Sequence, residues 1–245
     1  MKIAILIPCT SKKRKWNTIK ESYLYNLSLK TLLLTQSKEH TYVFYIGHDK
    51  NDRIFDNEKN QKEITKFNSV FKNVFFQFIC FKDIKPGHLT KMWNVLFKKA
   101  YDEKCEYFFQ CGDDIVFHTK DWINDCIKKL EENNNIGLTG PINNNNRILT
   151  QSFVSRKHME IFGWFFPEEI INWGCDDWYN MVYHPTWLYP LSNHFCSNDG
   201  GEPRYLIDND QTFFMQPQLK TNGIRAKAQK LANKHKKNIT EYIKK

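Results

Sequence analysis

Two pairs of adjacent carboxylates, Asp113-Asp114 and Asp176-Asp177, are the side chains in this sequence best suited to chemistry. The first pair follows Gly112 and lies between two apolar runs, Tyr107-Phe108-Phe109 and Ile115-Val116-Phe117. Aspartate is depleted in strands and costly to bury unpaired, so carboxylates at the mouth of a buried strand call for a cation. Gly-Asp is also ordinary turn chemistry, and a surface turn is the other reading. The second pair follows Gly174 and is flanked by Trp173 and Trp178. Asp176 falls where a helix would begin, which makes it either a cap or a carboxylate in a desolvated, sugar-stacking setting whose basicity burial would raise. Two such pairs together suggest metal-assisted group transfer.

Further candidates stand at the ends of predicted strands. Pro8, Cys9, Thr10 and Ser11 close the first apolar run and are followed by Lys12-Lys13-Arg14-Lys15. Open α/β sheets bind ligands at the carboxyl ends of their strands, so Pro8 and Thr10 are candidates for a nucleotide, with a solvated basic loop as the alternative. Gly47-His48-Asp49 closes the second strand and places another carboxylate, Asp49, at a strand end. Lys91 and Asn94 fall off the apolar stripe of a predicted helix, facing either a ligand or water. Late in the chain, a loop predicted over 192–205 carries His194, the Gly200-Gly201 pair and Arg204. His194 is a possible metal ligand and Arg204 a phosphate partner. His184 competes as a ligand, but Pro185 follows it and the helix ends there.

The elements that must position these residues follow from periodicity. Lys2 to Pro8, Tyr42 to Ile46, Val74 to Phe81, Ile136 to Thr139, Leu149 to Val154 and Leu188 to Leu191 read as strands. Apolar residues recur at helical spacing over 22–34, 89–100 and 122–130, with an aromatic helix over 158–166 and another running to about Tyr183. Alternating strands and helices imply an α/β sandwich with a mainly parallel central sheet. The expected division is one domain over 1–222 and a basic, solvated helical tail over 223–245.

The chain has 245 residues, 41% hydrophobic and 15% aromatic, ample for a packed core. No apolar run approaches the roughly 18 residues of a membrane helix, and the start is too short for a signal-peptide core, so a cytoplasmic protein is expected. Seven cysteines are scattered without a C-x-x-C pair, which argues against a disulfide framework and a zinc site. The net charge of +9 would suit nucleic acid, an anionic membrane or a nucleotide diphosphate.

In their order the motifs resemble the nucleotide-sugar-dependent glycosyltransferases of the GT-A fold, by order more than by identity, over residues 1 to about 210. Cys111-Gly112-Asp113-Asp114-Ile115-Val116-Phe117 is similar to the D-x-D segment of that superfamily, with Gly112 where the first carboxylate is expected. The resemblance implies that Asp114 binds Mn²⁺ or Mg²⁺, that Asp113 substitutes at the ribose, and that His194 is a late metal ligand. Trp173-Gly174-Cys175-Asp176-Asp177 is similar to the W-G-G-E-D segment of inverting members, which makes Asp177 or Asp176 the base. The donor implied is a nucleotide-sugar, a UDP-sugar favoured, bound by Pro8, Thr10, Asp49, Lys91, Asn94, Asp113 and Arg204. The acceptor is a glycan or protein, with no nucleic acid expected. The basic tail suggests contact with a membrane surface or an acidic partner. The rival readings are a metal-dependent nuclease or nucleotidyltransferase, and a lectin-like binding module.

Overall fold

The structure, a computed structural model, describes residues 1–145, 147–205 and 223–245. The first half alternates strand and helix as the periodicity predicts. Strand β1 (Lys2–Cys9) leads through a π-helical turn, Leu24–Leu29, into α1 (Lys30–Thr35) and back to β2 (Thr41–Asp49). Helices α2 (Glu58–Thr65) and α3 (Phe67–Val70), which the sequence reading did not contain, precede β3 (Val74–Phe81). Asn57 caps α2 by accepting the N–H of Asn60 on its side chain. Helix α4 (Leu89–Asp102) then returns to β4 (Tyr107–Gln110).

The second half departs from simple alternation. A short strand β5 (Ile115–Phe117), helix α5 (Trp122–Glu131), strands β6 (Leu138–Asn143) and β7 (Ser152–Ser155), helices α6 (Lys157–Phe162) and α7 (Cys175–Tyr183), and a long strand β8 (Leu188–Asn198) follow. Among the described residues, eight strands join one sheet in the order β3-β2-β1-β4-β7-β6-β8-β5. The β3-β2-β1-β4 half is parallel, whereas β7 runs antiparallel to both β4 and β6, and β5 runs antiparallel to β8. Residues predicted as a loop after Leu191 therefore continue as strand through Asn198. Pairing with β6 and β5 overrides their polar composition.

Burial on both faces explains why β1 is apolar throughout. Ile3, Ile5 and Ile7 point into one core layer with Trp122, Ile127 and Phe153, while Ala4 and Leu6 point into the other with Leu96, Phe97 and Trp178. A C-terminal helix, Ile224–Ile243, packs on α7 through Ile224, Ala228, Ala232 and Ile239. The tail expected to be solvated thus buries one face and turns its lysines outward, while the expected boundary at residue 222 lies outside the described residues. Among the described residues no helix is long and apolar enough to cross a membrane.

Candidate functional site

The carboxyl ends of β1, β2 and β4 gather most of the predicted donor residues. Thr10, just beyond β1, directs its hydroxyl to Asp49 Oδ2 at 3.3 Å and Asp52 Oδ2 at 3.2 Å. Asp49 also accepts the phenolic O–H of Tyr205 at 2.9 Å, and burial raises its carboxyl above the ordinary range despite that bond. Asp52 is a residue the sequence reading missed. It accepts the backbone N–H groups of Ser11, Ile54 and Phe55, so it pins the loop after β1 to the turn after β2. Pro8 pairs with Gly47 inside the ladder. A Cβ at Gly47 would lie 2.1 Å from the ring of Phe81, so a larger residue there must displace that buried ring.

Asp113 and Asp114 part company at the end of β4. Asp113 is fully buried, and the Arg204 guanidinium grips both of its oxygens, Nη1 to Oδ2 at 2.5 Å and Nη2 to Oδ1. Burial opposes the charge on Arg204, but the Asp113 carboxylate outweighs it and holds the guanidinium pKa above its ordinary value. Asp114 keeps one edge open to solvent and lies 3.5 Å from Arg204 Nη2. Burial, with Asp113 beside it, pushes its carboxyl up to about 6. The structure thus brings Arg204 to the site as the counter-ion of the acidic pair.

Asp114 is seated by glycine. A Cβ on Gly200 would stand 2.3 Å from Asp114 Cβ and 2.2 Å from its Oδ2, and a Cβ on Gly112 would stand 2.6 Å from Oδ1. A first carboxylate at position 112 would therefore displace that of Asp114 from its present rotamer. Gly200→Ala should force apart the pairing of Asp199 N–H with Asp114 C=O, so a loss of cation-dependent ligand binding of about tenfold or more is expected, read by titration.

The second acidic pair is tied to the first through residues 147–151: Gln110, the last residue of β4, donates its side-chain amide to the Thr150 carbonyl at 3.3 Å, and Arg147 pairs with Asp177. Two residues on, Gly112 donates its N–H to Gln151 Oε1 at 2.8 Å, so the strand end is braced from both sides. Asp176 and Asp177 occupy the first turn of α7, whose preceding residue, Gly174, adopts a left-handed φ of 89°. No side-chain cap forms there, so the capping reading of Asp176 is not borne out. Asn180, one turn on, accepts the Leu149 N–H and donates to the Leu149 and Asp176 carbonyls, fixing the start of α7 against residues 147–151. Burial and the charge of Asp177 push the Asp176 carboxyl up to about 7. Asp177 instead pairs with Arg147, and Arg225 of the C-terminal helix lies 3.8 Å from the same oxygen. Neither arginine was singled out in the sequence, since both sit in polar stretches without periodicity.

Three expectations are corrected by position. His194 does not reach Asp114: on β8 its ring contacts Asp125 Oδ2 at 2.7 Å and Thr119 Oγ1 at 3.1 Å, while the backbone that meets Asp114 is that of Asp199. Lengthening of β8 by strand pairing is what carries it away. His184 sits beyond the far end of α7 from Asp176. Lys91 pairs with Glu168 at 3.6 Å. Asn94 clamps the chain after α6, accepting the N–H groups of Phe165 and Phe166 and donating to the Phe166 carbonyl at 2.9 Å. Both are engaged by the chain between α6 and α7. Asn94→Ala should then cost about 1–3 kcal/mol of stability through lost partners, measured by denaturant unfolding, with ligand affinity unchanged.

Among the described residues, Asp114 is the carboxylate of the acidic pair left for a divalent cation, since Asp113 is committed to Arg204. Magnesium sites commonly combine one or two carboxylates with substrate phosphates, so the residues fit Mg²⁺ or Mn²⁺ held jointly by Asp114 and a bound diphosphate.

No family model matches the sequence, and no curated protein matches it. Solved structures do. The chain is similar to S. aureus TarS 1-349 in complex with UDP-GlcNAc, with a TM-score of 0.57 and 15% identity over 91% of this chain and 66% of that one. The same protein in complex with UDP gives a TM-score of 0.53 and 15% identity over 80% of this chain and 60% of that one. Against the longer TarS structure, 80% of this chain covers 36% of the other. At this identity the likeness speaks for the fold alone, and the chain spans less than two thirds of these neighbours. The architecture is accordingly an α/β sandwich of the GT-A glycosyltransferase type, with one acidic pair just beyond the carboxyl end of β4 and the other in the first turn of α7.

Proposed function

We propose that this chain is a glycosyltransferase that moves a sugar from a nucleotide-sugar, a UDP-sugar favoured, to an acceptor hydroxyl of a glycan or protein with inversion at the anomeric carbon. The observation that carries the reading is that residues 147–151 tie the end of β4, with a carboxylate suited to a cation just beyond it, to the start of α7, with a carboxylate poised as a base. The UDP and UDP-GlcNAc complexes of the structural neighbour support the donor class.

In this reading Thr10 and Asp49, held by Asp52 and Tyr205, line the wall that receives the nucleoside. Asp114 and the diphosphate would hold Mg²⁺ or Mn²⁺, which when bound neutralises charge on the leaving group. Arg204 fixes Asp113 and lends a second positive charge to the same corner. Asp176 accepts the acceptor's hydroxyl proton as oxygen bonds to the anomeric carbon. The bond to the diphosphate oxygen breaks on the opposite face with its electron pair, through an oxocarbenium-like state. Asp176 is preferred over Asp177 because its lone pairs are not shared with arginines.

Thermal-shift measurements with UDP-, GDP- and TDP-sugars plus Mn²⁺, set against salt-dependent binding of DNA and RNA, test the assignment. Stabilisation by one nucleotide-sugar is expected. Indifference to all of them, together with tight nucleic-acid binding, would replace this reading by a nuclease or nucleotidyltransferase.

A further inference from the structure

The carboxyl ends of β2 and β3 carry a second group of donors, outside the cleft. His48, Asp56 and Cys80 each offer one ligand atom, and the three atoms lie within 4.8 Å of one another. His48 and Cys80 are register partners on adjacent parallel strands. Their side chains therefore leave the same face of the sheet, from backbones about 5 Å apart. Asp56 arrives from the turn after β2. Its Oδ2 accepts the Asn51 N–H at 2.8 Å, and its Oδ1 lies 4.0 Å from His48 Nδ1. One oxygen thus fixes the carboxylate and the other is presented inward.

Orientation of the imidazole is also set in advance. The His48 ring is buried, with Nδ1 3.2 Å from the Asp49 carbonyl and Nε2 3.5 Å from the Gln61 amide. At metal sites a carbonyl that accepts one ring N–H fixes the orientation of the imidazole and leaves the other nitrogen for the ion, and the Gln61 amide, at the 3.5 Å limit, would turn aside. A thiol, an imidazole and a carboxylate form a mixed S, N, O set. Magnesium and calcium take oxygen ligands, whereas zinc takes all three donor types in tetrahedral sites. Metal–ligand bonds of about 2.0–2.3 Å place tetrahedral donors roughly 3–4 Å apart, so only the side-chain tips need to close inward. Asp56 is exposed, which leaves a path for entry. The scattered cysteines gave no such sign in the sequence, because parallel register brings Cys80 to His48 where sequence spacing does not.

We propose that His48, Asp56 and Cys80 form a zinc site, with water in the fourth position, separate from the cation at Asp114. On binding, the Cys80 thiol releases its proton to solvent and the thiolate sulfur donates a lone pair to the ion, with no change of oxidation state. The ion would join edge strand β3 to β2 and to the turn in which Asp56 donates its N–H to the Asp52 carbonyl. That turn holds the wall bearing Asp49, so zinc would stiffen the cleft without entering it.

The test uses the full chain, stripped by chelation and without nucleotide, titrated with Zn²⁺ alone against a chromogenic chelator and with Co²⁺ followed by absorption. One equivalent of Zn²⁺ should bind at about 1 µM or tighter, with a thiolate-to-cobalt charge-transfer band and a raised Tm, and Asp114→Ala should leave all three intact. Cys80→Ser, a near-isosteric change at a half-buried position, should weaken zinc by about 100-fold or more and abolish the band. Asp56→Asn, at an exposed position, provides a second folded variant with weakened binding. Failure of the wild type to bind zinc, or an affinity unchanged in both variants, overturns the site.

Discussion

Asp176→Asn is expected to lower kcat by about 10²–10⁴-fold, the range spanned by removal of a general base, while titration with a UDP-sugar and Mn²⁺ gives an unchanged Kd. Asparagine keeps the shape but cannot accept the acceptor's proton. The wild-type kcat should rise with pH and reach a plateau above about 7, since the carboxyl held there by burial and Asp177 acts only when deprotonated. The stability linkage has the opposite slope. Because the folded pKa is raised, the contribution of this carboxyl is complete below the ordinary carboxylate range and is lost as the pH climbs through about 7. A variant retaining more than about a tenth of wild-type kcat, or a pH profile flat across neutrality, would remove Asp176 from the base role. Asp177→Asn serves as the comparison. It breaks the pairs with Arg147 and Arg225, so a smaller fall in kcat is expected from a shifted α7 start.

Elements with one strong local pattern were legible in the sequence. The continuous apolar run of β1 and the period of α4 named their elements because burial on two faces, or along one stripe, leaves a mark in every residue. Strand β8 shows the limit. Its Ser192-Asn193-His194 stretch is polar, and what makes it strand is the ladder to β6 and β5, far away in sequence. Missing that pairing put His194 in a mobile-looking loop near Asp114 instead of on Asp125. The same non-local logic hid Asp52, Arg147 and Tyr205, whose roles come from where their partners Ser11, Asp177 and Asp49 are delivered. Asn94 was read as facing either a ligand or water because it lies off the apolar stripe. In the fold its amide fills the gap between α4 and the chain after α6, where three backbone groups need partners.

Asp113→Ala is expected to destabilise the fold by about 3–5 kcal/mol, because removing one partner leaves the Arg204 guanidinium largely buried and unpaired. In a chain of this size that corresponds to a fall in Tm on the order of 10 °C, measurable by calorimetry. Donor binding should weaken as well, since Arg204 would be free to collapse onto Asp114, 3.5 Å away, and compete for the oxygen that the cation needs. The double variant Asp113→Ala, Arg204→Met separates the two effects. With the orphan charge gone, stability should return by more than half, and the nonadditivity of the cycle would measure the pair. Donor affinity should then depend on whether the second positive charge at the diphosphate corner matters in its own right. Recovery of both stability and affinity would restrict Arg204 to holding Asp113, and recovery of stability alone would place its charge in donor binding. If Asp113→Ala proves as stable as the wild type, the bidentate pair is not the anchor of this corner, and Asp113 returns to being a direct ligand candidate.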